Sequence, residues 1–147
     1  MFRYGKRVDQ DIGEEVRLLH LAAAKGHADA QNELGDLFRI GRGVLQDDAE
    51  ALRFYRLAAA QGHAGAQNNL GDAFQYGRGL GQDFDQAIVW YRLAAAQGYT
   101  CAQNNIGNAF EYGRGVERDC RRAATWYRMA AAKGHVCAQE ALDRLET

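Results

Sequence analysis

Three groups of residues in the sequence could carry chemistry. The triplet Gly-Arg-Gly begins at residues 41, 77 and 113, and glycine-rich loops with cations can cradle phosphate or contact RNA. Histidine and cysteine are zinc ligands, and both recur: His27, His63, His135, Cys101 and Cys137. Cys120 lies within two residues of three arginines, which favour a reactive thiolate. The spacing of these groups decides whether they belong to a site or to the architecture.

Most of these residues belong to a repeat of 36 residues. Similar segments begin at residues 30, 66 and 102, so each copy starts 36 residues after the last. The segment AQNNLGDAFQYGRGLGQDFDQAIVWYRLAAAQG begins at Ala66, with close counterparts from Ala30 and Ala102 and a partial copy from Ala138. A phosphate-binding loop occurs once, after a strand, and is followed by Lys and Ser or Thr. Because the triplet recurs in every full repeat, we interpret it as a turn.

The same recurrence argues against a metal site. His27, His63 and His135 share one repeat position, whose remaining copy is Tyr99. Equivalent residues of stacked helices lie about 8 to 10 Å apart, whereas zinc ligand atoms lie about 2.0 to 2.3 Å from the metal. The sequence therefore predicts no metal site and no cofactor.

Each repeat contains two segments with the period of an α-helix, here named helix A and helix B. The apolar stripe of helix A is formed by Ala66, Leu70, Ala73 and Phe74. The stripe of helix B is wider and comprises Ala87, Trp90, Tyr91, Ala94 and Ala95. The sequence predicts helix, turn and helix in each repeat.

Residues that favour helix ends flank the predicted helix B. An Asp begins each copy and can accept from the unpaired N–H groups of the first turn: Asp11, Asp47, Asp83 and Asp119. Glycine stands where each helix B should stop, at Gly62, Gly98 and Gly134. The first helix B is predicted near Asp11 to Lys25.

Aromatic residues recur in helix B and could be interpreted as platforms for nucleic-acid bases: Phe54, Tyr55, Trp90, Tyr91, Trp126 and Tyr127. Their fixed place beside the alanines favours a role in packing between repeats. If Trp90 is buried, Trp90→Ala should cost about 3 to 5 kcal/mol.

Composition narrows the classes of partner. The formal charge is −1, from 18 Lys and Arg against 19 Asp and Glu, which gives no overall field for nucleic acid or a membrane surface. No apolar run reaches about 18 residues and the start lacks a secretory signal. Three cysteines cannot all pair within the chain. We therefore expect a soluble, cytoplasmic protein with free thiols and neither a nucleic-acid nor a membrane partner.

The repeated pattern, A-Q-x-x-L-G-x-x-F-x-Y-G-R-G followed by D-x-x-x-A-x-x-W-Y-R-x-A-A-x-x-G, resembles the Sel1-like repeat family, a relative of the tetratricopeptide repeat. The resemblance implies an all-α fold, a right-handed α/α superhelical solenoid of helix-turn-helix repeats used as a protein-binding scaffold. We predict one repeat domain over residues 1–147, with a half-repeat at 4–29, repeats at 30–65, 66–101 and 102–137, and a capping helix at 138–147.

The two ends depart from the pattern. The first helix B lacks its own helix A, so Val16, Leu18 and Leu19 are predicted to form a face for self-association unless Phe2 and Tyr4 fold back over it. At the other end, Asp143 and Glu146 replace Gly71 and Phe74. Charge at these positions is typical of a solvent-facing cap.

Enzymatic function is an alternative that the resemblance raises, because some secreted, cysteine-rich family members are described as binding or hydrolysing penicillin-type ligands. An acylating serine enzyme needs a Ser beside a base, and this chain has no Ser. Cys120 aligns with the apolar residues Phe84 and Ile12, which predicts a buried structural thiol. The expectation is a protein that is not an enzyme.

The candidate partner-binding residues lie on helix A, opposite its apolar stripe. The resemblance implies that helix A lines a concave groove, and carboxamides there could pair with the backbone of an extended peptide. The nine candidates are Asn32, Asp36, Arg39, Asn68, Asp72, Gln75, Asn104, Asn108 and Glu111. We predict a scaffold or adaptor that binds a protein or peptide in this groove. The alternatives are a self-assembling structural unit, a fragment of a longer array, and a purely solvent-facing polar surface.

Overall fold

A computed structural model describes the backbone of residues 2–147 and the side chains of residues 11–147. All regular structure in these described residues is α-helical, as predicted. The eight helices are α1 (Phe2–Ala24), α2 (Ala28–Ile40), α3 (Asp48–Ala60), α4 (Ala64–Tyr76), α5 (Phe84–Ala96), α6 (Thr100–Tyr112), α7 (Cys120–Ala131) and α8 (Val136–Glu146). Helix A corresponds to α2, α4, α6 and α8, and helix B to α1, α3, α5 and α7.

The helices form two compact units, one ending at Ala66 and the other comprising Gln67–Thr147. In the first unit, Val16 of α1 packs with Leu34 of α2 and Phe54 of α3. Phe54 stacks on Phe38 with ring centroids 5.7 Å apart, and His20 meets both rings edge-on. In the second unit, the largest fully buried side chains are Leu70, Tyr91, Ile106 and Tyr127.

The predicted helix ends are confirmed in the three full repeats. Asp47 and Asp83 accept from the backbone N–H groups of Glu50 and Gln86, each at 3.1 Å. Asp119 accepts from two N–H groups although its partner at the third position is Arg122. The glycines after helix B have φ values of +84° to +88°, a left-handed conformation that costs glycine little.

The predicted start of the first helix B is wrong, because Asp11 lies inside α1 and caps nothing. The full repeats turn before helix B at two left-handed glycines, Gly77 and Gly79 in the second repeat. Arg7 stands at the register position of Gly79, and a residue with a Cβ pays about 1 to 2 kcal/mol to enter that conformation. Without the second glycine the helix continues back to Phe2.

The role in packing that was predicted for the aromatic residues of helix B is confirmed at the tyrosine position of each full repeat. Tyr55, Tyr91 and Tyr127 are at most 2% exposed, whereas Trp90 and Trp126 are only half-buried. Glycine on the facing helix A admits each tyrosine ring. A Cβ built on Gly71 would lie 2.5 Å from Cδ1 of Tyr91, and one on Gly107 would lie 2.6 Å from Cε1 of Tyr127. Each glycine and tyrosine pair therefore joins helix A to helix B of the same repeat.

The C-terminal helix α8 carries the predicted charged cap. Asp143 and Glu146 are both exposed, and Glu146 accepts from Nη2 of Arg128 at 3.0 Å. Within residues 2–147, every helix falls short of the length or hydropathy that a membrane-crossing segment requires.

Candidate partner-binding surface

Three of the nine candidate residues fasten helix A to helix B. The hydroxyls of Tyr55, Tyr91 and Tyr127 donate to Asp36 at 2.5 Å, Asp72 at 2.6 Å and Asn108 at 2.5 Å. Burial raises the pKa of all three tyrosines, chiefly by desolvation, and the neighbouring carboxylates raise it further. The phenols therefore stay protonated and act as donors. Asp36, Asp72 and Asn108 remain half-buried.

The predicted solvent exposure is wrong for three other candidates, Asn68, Gln75 and Glu111, which are only 5 to 6% exposed. Asn68 accepts from Nδ2 of Asn105 at 2.9 Å, which links α4 to α6. Gln75 accepts from the hydroxyl of Tyr91 of α5 at 3.1 Å. Asn68 is therefore buried where α4 meets another helix A, and Gln75 where α4 meets helix B.

Glu111 is a buried carboxylate that is neutralised from the C-terminal helix. It accepts from the hydroxyl of Tyr127 at 3.3 Å and forms an ion pair with Arg144 of α8. The pairing raises the pKa of the Arg144 guanidinium. Arg144 stands 36 positions after Asn108, so the last repeat places a cation where the others have an acceptor. Glu111 and Arg144 therefore fasten α6 to α8.

The remaining candidates are Asn32, Arg39 and Asn104, all half-buried. Arg39 donates from Nε to the Tyr55 hydroxyl at 3.3 Å and lies 4.0 Å from Asp36. Asn104 differs from them, since its carboxamide forms no hydrogen bond within residues 11–147. One turn later, the oxygen of Asn108 accepts from Tyr127 while its amide N–H groups stay unpaired among the same residues. Helix α6 thus presents two half-exposed carboxamides on one face.

A contact between two glutamines recurs in two repeats and was not predicted from the sequence. In each, the glutamine that follows helix B donates to a glutamine of the preceding helix A. Gln61 donates to Gln31 at 2.8 Å, and Gln97 donates to Gln67 at 2.9 Å. The third copy has Lys133 in place of the donor, and its Nζ reaches the carbonyl of Gly98 at 2.7 Å. As a result Oε1 of Gln103 is buried with no partner among the described residues.

Two of the three histidines at the recurring position cap helix starts with their side chains, whereas His27 makes no such bond. Nδ1 of His63 accepts from the N–H of Ala66 at 3.0 Å, and its Nε2 lies 2.8 Å from Asp29. Nδ1 of His135 accepts from the N–H of Ala138 at 3.1 Å. Across the described residues, no three His, Cys, Asp or Glu side chains converge as a metal site would require.

The cysteines are free thiols, and all three are exposed: Cys101, Cys120 and Cys137. The predicted burial of Cys120 is therefore wrong. Its register position is at the edge of the core, where Phe84 and Ile12 are themselves only half-buried, and the shorter thiol is not covered. Partial burial raises the pKa of the Cys101 thiol, which disfavours the reactive thiolate there.

The repeat pattern matches the profile of the Sel1 repeat over residues 1–27, 28–63, 64–99 and 102–135. None of the curated proteins compared with the chain matches it.

Solved structures share the architecture. A protective antigen of uropathogenic Escherichia coli, c5321, has a TM-score of 0.83 and 38% identity over 88% of this chain, which spans only 28% of that protein. A Sel1 repeat protein from Oxalobacter formigenes has a TM-score of 0.77 and 37% identity, with 88% of this chain and 98% of that one covered. Cysteine rich protein B of Helicobacter pylori, at 16% identity, 90% and 96% coverage and a TM-score of 0.69, shares the fold. The chain belongs to the Sel1 repeat family.

Proposed function

We propose that the protein is a non-enzymatic interaction module, a scaffold or adaptor, which binds an extended segment of a protein partner along α6 of the second unit. Sel1 repeats generally serve as protein-interaction scaffolds. The observation that carries the proposal for this chain is the pair Asn104 and Asn108, half-exposed and with unpaired amide groups within residues 11–147. The surrounding polar side chains are already engaged in holding the helices together.

The spacing of this pair suits a peptide backbone. Residues four apart on a helix lie about 5 to 6 Å apart at Cβ, and an extended chain advances about 3.3 Å per residue. Asn104 and Asn108 can therefore reach peptide groups about two residues apart. The Asn104 carboxamide both donates and accepts, whereas the Asn108 oxygen already accepts from Tyr127 and keeps one lone pair beside its two amide donors.

The proposed lack of enzymatic activity rests on the same described residues. Serine is absent from the sequence, and the exposed Cys120 has no His within the cleft that it borders, whose lining includes Arg121, Thr125 and Arg128. The lining arginines favour a thiolate, but the carboxylate of the cleft, Glu146, is paired with Arg128, and no His lines the cleft as a general acid and base. Three free cysteines favour a reducing compartment such as the cytoplasm.

Asn104→Ala should leave folding intact and weaken partner binding. Because the side chain makes no hydrogen bond within the described part of the chain, its loss should change the free energy of unfolding by less than about 0.5 kcal/mol. The backbone group of the partner that it pairs with would be left unsatisfied, at about 1 to 3 kcal/mol, which corresponds to a loss of affinity of roughly five- to 150-fold. Calorimetric titration with a partner isolated from native lysate measures this.

The control is Gln86→Ala on the first turn of α5, an exposed carboxamide of the same chemistry on a helix B. It should change neither stability nor affinity. If Asn104→Ala leaves the affinity for a confirmed partner unchanged, or if Gln86→Ala weakens it as much, the proposed surface is wrong.

Self-association through the N-terminal half-repeat is a second candidate function. Leu18 and Leu21 of α1 are 52% and 50% exposed, whereas Val16 is buried and Leu19 half-buried. The predicted alternative, in which Phe2 and Tyr4 cover this face, concerns side chains outside the described residues. Two exposed leucines one turn apart form an apolar surface that a second copy could cover.

Leu18→Glu should weaken self-association, because a charge on an apolar contact must be desolvated. Sedimentation velocity over a hundredfold concentration range measures the effect. Leu45→Glu is the matched control, since Leu45 is 90% exposed and lies outside α1. A monomer at every concentration, or equal weakening by both variants, would exclude this second function.

A further inference from the structure

A polar cleft of the second unit is lined by neither Asn104 nor Asn108. Its volume is about 420 Å³. Its lining combines one residue each of α5, α6 and α7 with the turn that precedes α7. Three of the lining residues are arginines, Arg92, Arg118 and Arg122. The neighbouring acidic residues are Glu117 and Asp119, and Phe110 supplies an apolar wall.

The three guanidinium groups are only partly engaged by the protein. Nε of Arg118 donates to the backbone carbonyl of Glu111 at 3.1 Å, which leaves its terminal N–H groups unpaired among the described residues. Arg92 forms no hydrogen bond or ion pair within residues 11–147. Arg122 lies 3.5 Å from Asp119 and 5.8 Å from the ring centroid of Phe110. The cleft therefore contains guanidinium N–H donors that make no hydrogen bond within residues 11–147 and could bind a ligand.

Asp119 does not cancel this charge by itself. Its Oδ1 accepts from the backbone N–H groups of Arg121 and Arg122 as the cap of α7, so part of its charge serves the helix end. Glu117 is exposed and makes no ion pair within the described residues. Three cations against two anions, one of which is a helix cap, leave the cleft with a net positive charge.

The arginines distinguish this repeat from the others in the same chain. The residue that corresponds to Arg118 is Gln82 in the second repeat and Gln46 in the first. The position of Arg122 is Gln86 in the second repeat and Glu50 in the first. The fold thus forms its turn and cap without a cation at these positions, as the caps of α3 and α5 show. The two arginines are not required by the architecture.

We propose that this cleft binds an acidic segment of a protein partner, with Arg92, Arg118 and Arg122 as the residues that recognise carboxylate side chains. A guanidinium pairs with a carboxylate through two parallel N–H donors, and a cleft of this size admits one or two acidic side chains. The Phe110 ring lies 5.8 Å from the Arg122 guanidinium. Neither Asn104 nor Asn108 lines this cleft, and the proposal does not depend on the α6 surface.

The test uses the full chain and a fluorescein-labelled deca-glutamate peptide, measured by fluorescence anisotropy at low ionic strength. The double variant Arg118→Gln and Arg122→Gln restores the residues of the second repeat and should weaken binding at least tenfold. The charge-matched control is Arg42→Gln with Arg56→Gln, two exposed arginines of the first unit, and it should weaken binding less than twofold. Glu117→Gln should strengthen binding, because it removes an anion from the cleft.

Three results would overturn the proposal. The first is no saturable binding of deca-glutamate by the unmodified protein. The second is equal weakening by the two double variants, which would reduce the effect to net charge. The third is binding of a deca-thymidine oligonucleotide that is as tight as that of deca-glutamate and is weakened by the same Arg118 and Arg122 substitutions. This result would make the cleft a general anion-binding surface. Circular dichroism of each variant should superimpose on that of the unmodified protein, and Arg92→Gln provides an independent variant on α5 if the double variant unfolds.

Discussion

Tyr91→Ala should lower the free energy of unfolding by about 3 to 5 kcal/mol. The side chain is 1% exposed, and its ring lies against Gly71 of the facing helix. Truncation leaves a cavity between α4 and α5, because the glycine has no side chain that could fill it. It also removes the hydroxyl that donates to Asp72 and Gln75, so two acceptors lose a partner.

The neighbouring residue supplies the control. Trp90 is larger than Tyr91 but only half-buried, so Trp90→Ala should cost clearly less, about half as much or below. Urea denaturation followed by circular dichroism measures both variants. A larger loss for Trp90→Ala than for Tyr91→Ala would contradict the assignment of the tyrosine position to the core.

Gly71→Ala should destabilise the second unit by about 1 to 2 kcal/mol, although alanine is the better helix former. The added Cβ would lie 2.5 Å from two ring carbons of Tyr91. The ring cannot move aside without breaking the hydrogen bond from its hydroxyl to Asp72. Overpacking of this kind costs about 1 to 3 kcal/mol or more, which exceeds the gain of up to about 1 kcal/mol in helix propensity.

Gly13→Ala is the matched substitution in an open environment. Gly13 lies in α1, and a Cβ there would have nothing within 4 Å. Only the propensity gain remains, so this variant should be more stable by up to about 1 kcal/mol. Thermal and urea unfolding of the two variants should therefore shift in opposite directions. A stabilising Gly71→Ala would show that the tyrosine ring is not held against the glycine.

Much of this fold could be predicted from the periodic features of the sequence. Capping Asp residues and stop glycines act within one turn of chain, so Asp83 and Gly98 could be recognised without tertiary information. The residues next to Asp11 follow the same capping pattern, so they do not reveal that Asp11 lies inside a helix rather than at its start. What changes its role is Arg7, several residues earlier, which replaces the left-handed glycine of the turn.

The candidate surface was harder to predict because a repeat buries more than one face of helix A. A helical stripe identifies the face toward helix B, but Asn68 meets Asn105 of the next helix A, a contact set by the stacking of repeats. Adjacent residues lie about 100° apart around a helix, and Trp90 is only half-buried beside the buried Tyr91. The equivalent pair Phe54 and Tyr55 is buried at both positions, so the sequence pattern alone does not fix the burial of the first aromatic residue. The arginine cleft was missed because a net charge of −1 for the whole chain averages over a local excess of cations.

The most direct test of the central claim, that the α6 surface binds a protein partner, is site-specific photocrosslinking. A benzophenone amino acid is placed at position 101, an exposed position of α6 one turn before Asn104, or at the control position 86, so that Asn104 itself is kept. Each protein is illuminated in native lysate, and the adducts are identified by mass spectrometry. We expect a discrete protein adduct at position 101 that is absent at position 86. An excess of unlabelled protein should suppress this adduct, whereas an excess of the Asn104→Ala variant should suppress it at least fivefold less effectively. Identical adducts at the two positions, or equal competition by the variant, would contradict the claim.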